Sequence, residues 1–188
     1  MTGERKQEIL QIAIEIIADE GYSSLTMRSL ARASGMKLGA LQYHFRTWDE
    51  LLRSLVGVIE SEIKAEWSSQ GLDNGATVYA ITSFMLAGID EPGDIQLGDK
   101  LWPQLWALEE VEPLVADLLQ EVYAEYLLFL EGAMERAGIE SPRGEALCLM
   151  SMLEGESLFT GQGRRWEKDR ALVRDTILEF VEKRYGAT

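Results

Sequence analysis

Between Gly21 and Trp48 the chain carries four basic side chains, Arg28, Arg32, Lys37 and Arg46, and no acidic one. The whole chain has 18 basic residues against 32 acidic, a net charge of −14, so this segment is +4 and the remainder is −18. Taken as a total, that charge argues against a nucleic-acid partner, because a polyanion repels a polyanion. The distribution argues the other way: one cationic face on an acidic body can meet phosphate. Chance clustering on a solvated helix face explains the charge alone equally well.

Catalytic chemistry has little to work with. His44 is the only histidine and Cys148 the only cysteine. There is no Glu-x-x-His pair for a di-metal site, no glycine-rich phosphate loop and no nucleophile motif. A helical enzyme would have to work through carboxylates such as Glu109, Glu110 and Glu112. No catalytic residue, metal ligand set or cofactor is therefore predicted. A lone cysteine excludes an internal disulfide, and Cys148 is expected to be a small buried apolar residue.

The residues between the charges are more specific. From Thr26 to Phe45 the sequence reads as two short helices joined by a tight turn. Ser24 or Thr26 is placed to cap the first helix, and Ala31 is small where the helices approach. Gly35 supplies the turn, with positive φ expected. Met36 and Leu41 can pack inward against Leu30. This spacing fits a helix-turn-helix, whose second helix enters a major groove about 12 Å wide. The outward positions, Lys37, Gly39, Ala40, Gln42, Tyr43 and His44, are small or hydrogen-bonding, and none is acidic. A generic αα-hairpin is the competing reading, and the charge window favours DNA.

The stretch from Arg5 to Leu55 resembles the DNA-binding domain of TetR-family transcriptional repressors. The matching residues are Thr26-x-Arg28-x-Leu30-Ala31, Gly35, Gly39-x-Leu41-x-Tyr43-His44-Phe45 and Leu51-Leu52. The resemblance implies that Arg28 reaches a guanine edge and that Lys37, Leu38 and Gly39 face bases. It implies that Gln42, Tyr43 and His44 lie against phosphates or neighbouring bases, His44 having also a backbone-bonding role open to it. Thr26 and the backbone N–H groups of Thr47 and Trp48 would bind phosphate. Trp48 stands where the family usually has lysine, and Arg46 could replace that contact.

Positioning these groups requires helices throughout. Sustained strand alternation is nearly absent, and apolar residues recur at helical spacing along the whole chain. Ile9, Ile12, Ala13, Ile16 and Ile17 make one stripe ended by Gly21, and a long helix runs from about Trp48 to Ser69 behind a Thr47 cap. Gly71 to Gly75 makes a turn, and Glu91-Pro92-Gly93 stops the helix that follows it. A short helix is expected from Leu97 to Leu108, then a widely apolar one from Pro113 to Ala137. The last two run from Ser141-Pro142 to Gly161 and from Glu167 to Arg184. The predicted fold is all-α with about nine helices. It comprises an N-terminal three-helix helix-turn-helix domain (1–47) and a C-terminal helical ligand-binding and dimerisation domain (48–188).

At 188 residues, with 46% hydrophobic and 27% charged residues, the composition is globular rather than disordered. The apolar runs fall short of a membrane span of about 20 residues, and MTGERKQEIL has no secretory core, so a soluble cytoplasmic protein is expected.

In the acidic body, Trp102 and Trp106 lie one helical turn apart. With Met85, Glu109, Tyr123, Tyr126 and Glu154 they are candidates for binding a small effector. An inward carboxylate at Glu109 or Glu154 would suit a cationic or quaternary ligand through cation–π contact. An ordinary aromatic core accounts for the same residues. Two stripes, Val173-Ile177-Phe180-Val181 and Leu147-Met150-Ser151-Leu153-Gly155, could either close a monomer core or face a second copy. The resemblance implies a homodimer through the last two helices. Recognition helices about 34 Å apart would then match successive major grooves of a palindromic site on double-stranded DNA. The function expected is a dimeric DNA-binding repressor released by an effector. A helical protein-interaction module is the alternative, and a helical enzyme a weaker one.

Overall fold

A computed structural model of the chain describes residues 2–72, 75–87 and 101–186. Among the described residues there are nine α-helices and no strand: α1 (Thr2–Glu20), α2 (Met27–Ala33), α3 (Leu38–His44), α4 (Trp48–Ser69), α5 (Val78–Ala87), α6 (Leu101–Glu109), α7 (Pro113–Arg136), α8 (Pro142–Thr160) and α9 (Arg170–Tyr185). The all-α expectation holds. The stop at Glu91-Pro92-Gly93 and the helix start at Leu97 lie outside the described residues. The final helix is preceded by a short 3-10 turn over Glu167–Asp169.

The chain forms two compact units, Met1–Ile63 with Pro92–Gln120, and Lys64–Glu91 with Glu121–Thr188. These units follow packing, whereas the division at residue 47 follows the motif; α4 and α7 each contribute to both units.

In the first unit, α1 buries Leu10 and Ile14 as well as Ile9, Ala13, Ile16 and Ile17, a wider arc than one stripe. It is covered by α2 and α6. Leu51, Leu52, Leu55, Val56 and Ile59 of α4 join the same core, as do Leu101, Leu105 and Leu108 of α6. The two motif helices, seven residues each, are too short to persist alone. Leu30, Leu41 and Phe45, all at 0% exposure, fix them to this core, each burial stabilising by about 1.5–3 kcal/mol.

The second unit packs α5 against α8 and α9. Its core takes Val78, Ile81 and Phe84 from α5, Leu130 and Met134 from α7, Leu149 and Leu153 from α8, and Ile177 and Val181 from α9. Helix α7 ends at Gly138, whose φ of 74° lets Ile139 N–H reach the Met134 carbonyl at 3.0 Å.

Ser141 occupies the N-cap of α8 but makes no side-chain capping bond. Two local expectations change. Cys148 is exposed rather than buried, because it shares the outward face of α8 with Leu147 and Ser151. Each anticipated interface stripe divides: Met150, Leu153, Ile177 and Val181 turn into their own core, while Leu147, Ser151 and Phe180 face outward.

Candidate nucleic-acid interface

The motif begins with a reciprocal cap. Thr26 Oγ1 accepts the Ser29 N–H at 3.0 Å, and Ser29 Oγ accepts the Thr26 N–H at 2.8 Å. Ser29 Oγ also donates to the Ser24 carbonyl at 2.7 Å, tying the cap to the preceding turn. Thr26, not Ser24, is therefore the N-cap of α2.

Helix α2 ends in a paired turn. The Gly35 N–H bonds the Arg32 carbonyl at 3.1 Å and the Met36 N–H bonds the Ala31 carbonyl at 2.8 Å. Gly35 has φ 65°, as predicted, and a Cβ there would meet nothing within 4 Å. The glycine is required by its backbone conformation, not by space.

On α3 the inward residue is Leu41, and Phe45 closes the helix. Lys37, Gly39, Ala40, Gln42 and Tyr43 are exposed, Tyr43 at 79%, while Leu38 and His44 are half-buried. The Tyr43 and His44 rings meet edge to face, with centroids 5.8 Å apart. Gly39 has ordinary helical φ, and a Cβ there would also meet nothing within 4 Å. Its fold does not need a glycine at that position. Arg28 is exposed on α2, and among the described residues Arg28, Lys37 and Arg46 make no side-chain ion pair.

The start of α4 is similarly built. Thr47 Oγ1 accepts the Glu50 N–H at 3.1 Å, and Glu50 Oε2 accepts the Arg46 N–H at 2.9 Å. Trp48 is half-buried, its ring 6.2 Å from that of Tyr22. Tyr22 in turn donates to Glu112 Oε1 at 2.5 Å, and burial, reinforced by Glu112, pushes its hydroxyl up to about 12. The indole at position 48 thus belongs partly to the fold, and its backbone N–H remains at the positive end of α4. The result on α2 and α3 is a surface of free cations, amide and hydroxyl donors and an open glycine, with no carboxylate on either helix; the nearest in sequence are Asp49 and Glu50 in the first turn of α4.

The residue pattern has a direct counterpart in known proteins. Residues 9–55 match the family model for bacterial regulatory proteins of the tetR family.

Residues 9–55 therefore carry a helix-turn-helix segment of the TetR type.

It is 32% identical over 90 residues to the HTH-type transcriptional repressor KstR2 of Rhodococcus jostii, a match spanning 46% of this chain and 44% of that relative. To the HTH-type transcriptional regulator BetI of Escherichia coli K12 it is 23% identical over 186 residues, 94% of each chain. A crystal structure of a transcriptional regulator from Saccharomonospora viridis in complex with choline matches with TM-score 0.77 and 19% identity, over 97% of each chain. Both curated relatives are named as helix-turn-helix transcriptional regulators.

The residues singled out as effector candidates divide between the two units. Trp102, Trp106 and Glu109, all half-buried, lie on α6 in the first, where Trp102 packs against the core. Met85, Tyr123, Tyr126 and Glu154 lie in the second and are also half-buried. There, Trp67 of α4 sits 5.1 Å from Phe84, 5.9 Å from Tyr126 and 4.6 Å from Phe129 between ring centroids. Its indole Nε1 is buried and has no hydrogen-bond partner among the described residues. Burial raises the Glu154 carboxyl above the ordinary range, and a hydrogen bond from Tyr123 partly offsets this. Tyr126 is pushed well above the usual tyrosine range by burial and then by the Glu154 charge. Spacing alone did not single out Trp67 and Phe84, because they come from different helices.

Also unread in the sequence was Glu156, whose side chain is 0% exposed. Its Oε1 accepts Arg170 Nε at 2.9 Å, Arg174 Nε at 3.0 Å and Thr160 Oγ1 at 3.0 Å. No helix in the described residues is long and apolar enough to cross a membrane.

Proposed function

We propose that this chain is a transcriptional repressor that binds a palindromic operator as a dimer and is released by a small effector. The observation that carries the reading is the unpaired cationic face of α2 and α3. Residues 1–47 are its DNA-contacting segment and 48–188 its effector-binding and dimerisation part. Arg28 reads a base edge, and Lys37, Leu38 and Gly39 approach bases as α3 enters the groove. Thr26, Gln42, Tyr43, His44 and Arg46, with the backbone N–H groups of Thr47 and Trp48, hold phosphates. Name-level support comes from the relative described as a repressor.

Dimerisation through α8 and α9 is supported by their exposed apolar residues. Leu147 (48%), Leu158 and Phe159 are exposed on α8, and Leu172 (67%) and Phe180 are exposed on α9. Ser151 and Thr176 donate their hydroxyls back to Leu147 and Leu172 within their own helices. Such surfaces bury well against a second copy.

For the effector, a cation fits the second unit. Glu154 provides a carboxylate beside Tyr123 and near Tyr126, with Met85 on a neighbouring helix, and aromatic faces attract quaternary ammonium groups. A fold neighbour holds choline. Trp102, Trp106 and Glu109 belong to α6 in the first unit.

The test of DNA binding is a mobility shift with a random duplex pool over a salt series. A steep salt slope supports the reading, since phosphate contacts release counterions; a flat response or no shift favours a protein-interaction module. The effector is tested with choline as the probe in calorimetry. Because the Glu154 pKa is raised, its attraction for a cation is lost below that pKa and grows as pH rises through it. Choline affinity therefore climbs with pH above the ordinary carboxylate range in the native chain, and Glu154→Gln flattens the curve. A pH-independent affinity that survives Glu154→Gln removes Glu154 from the site.

A further inference from the structure

Two consecutive basic residues on α1, Arg5 and Lys6, touch the ends of the two motif helices. Arg5 Nη2 donates to the Ser34 carbonyl at 2.7 Å, at the C-cap of α2. Its other terminal nitrogen donates to Glu8 Oε2 at 2.6 Å, which holds the guanidinium fork in place. Ser34 is 6% exposed and its own hydroxyl has no bond partner among the described residues, so the Arg5 contact is a polar tether on that turn. Lys6 Nζ lies 4.9 Å from the centroid of the Phe45 ring, and Phe45 is the C-cap of α3. The same ammonium is 3.8 Å from Glu50 Oε1, while the other oxygen of that carboxylate accepts the Arg46 N–H. A cation therefore stands at the C-terminal end of each motif helix, where carbonyl groups lack partners and the helix dipole is negative.

We infer that Arg5 and Lys6 form a clasp that sets the position of α3, and so act as positioning residues for sequence readout. Arg5 holds the turn by which the chain enters α3, and Lys6 holds the residue by which it leaves. Base-edge hydrogen bonds require heavy-atom distances of about 2.7–3.2 Å. A shift of α3 by about an ångström would break them, while phosphate contacts from long flexible side chains would follow. Neither residue belongs to the proposed contact set. The inference rests on the DNA-binding reading above.

The experiment uses the purified full chain and two duplexes of equal length: one recovered by selection from a random pool, the other its scrambled sequence. Affinities for both are measured over a salt series for the native chain, Arg5→Lys, Arg5→Met and Lys6→Met, with thermal unfolding as a folding check. The clasp predicts that Arg5→Lys, which keeps the charge but not the fork, cuts the preference for the selected duplex about tenfold, roughly one base-edge contact. Lys6→Met does the same. Affinity for the scrambled duplex stays within about twofold and the salt slope does not change. If Arg5→Lys and Lys6→Met both fold and keep the native preference, the clasp is wrong. Equal weakening on both duplexes by Arg5→Met and Lys6→Met, with the slope falling by about 0.9 in each, assigns these residues to phosphate instead and also overturns it. A pool that yields no preferred duplex for the native chain removes the DNA reading itself and the clasp with it.

Discussion

The cationic face of α2 and α3 and the carboxylates of the second unit handle charge in opposite ways. On the first, Arg28, Lys37 and Arg46 project without side-chain ion pairs among the described residues, and the cap of α2 is made by two small hydroxyls, Thr26 and Ser29. In the second unit Glu156 is sealed between Arg170, Arg174 and Thr160, and Glu154 is half-buried beside Tyr123. A surface that must meet a polyanion keeps its donors in water until the partner arrives. An interior charge has no such option, because removing it from water without partners costs far more than the fold can supply.

That contrast is tested most severely at Glu156. Glu156→Gln leaves two mostly buried guanidinium groups facing a neutral amide, and should destabilise the chain by about 3 kcal/mol. Urea unfolding measures this. A loss below about 0.5 kcal/mol is what an exposed pair gives, and would mean the cluster is far more hydrated than its burial implies. DNA affinity per folded molecule should hardly change.

Arg28→Ala and Tyr43→Ala should behave in the reverse sense. Each removes an exposed side chain, so stability stays within about 0.5 kcal/mol, while affinity for a selected duplex falls by about 1–3 kcal/mol. Fluorescence anisotropy beside thermal unfolding separates the two readouts. Variants that bind as well as the native chain would remove these two assignments.

The same contrast explains what could be read from the sequence. Local chemistry was legible: a cap at Thr26, a positive-φ glycine at Gly35 and an inward Leu41 are each fixed within a few residues of chain. Helix number followed from apolar spacing for the same reason. Pairings between distant residues were not legible. Arg5 finds Ser34 across 29 positions and Tyr22 finds Glu112 across 90. Trp67 of α4 meets Phe84 of α5 and both Tyr126 and Phe129 of α7. Periodicity gives the existence of an apolar stripe but not its angular width, which is why α1 buries more than its predicted stripe. It also does not say which half of a stripe a neighbour covers, and so Cys148 was assigned inward when it faces out.

The finest test falls on Gly39, where fold and partner make opposite demands. Its φ is helical and a Cβ there meets nothing within 4 Å, so the folded chain gains nothing from the missing side chain. Alanine is the better helix former by up to about 1 kcal/mol, and Gly39→Ala should therefore leave thermal stability unchanged or raise it. If α3 approaches a base edge at this position, the added methyl sits where the duplex must go, and affinity for the selected duplex drops while the scrambled duplex is held nearly as before. A glycine that costs the fold stability and returns it only on DNA is the pattern expected of a contact position. A Gly39→Ala chain that is more stable and binds its selected duplex just as tightly would show that the groove stays clear of this face of α3. The register of the recognition helix would then have to be rotated toward Lys37 and Gln42.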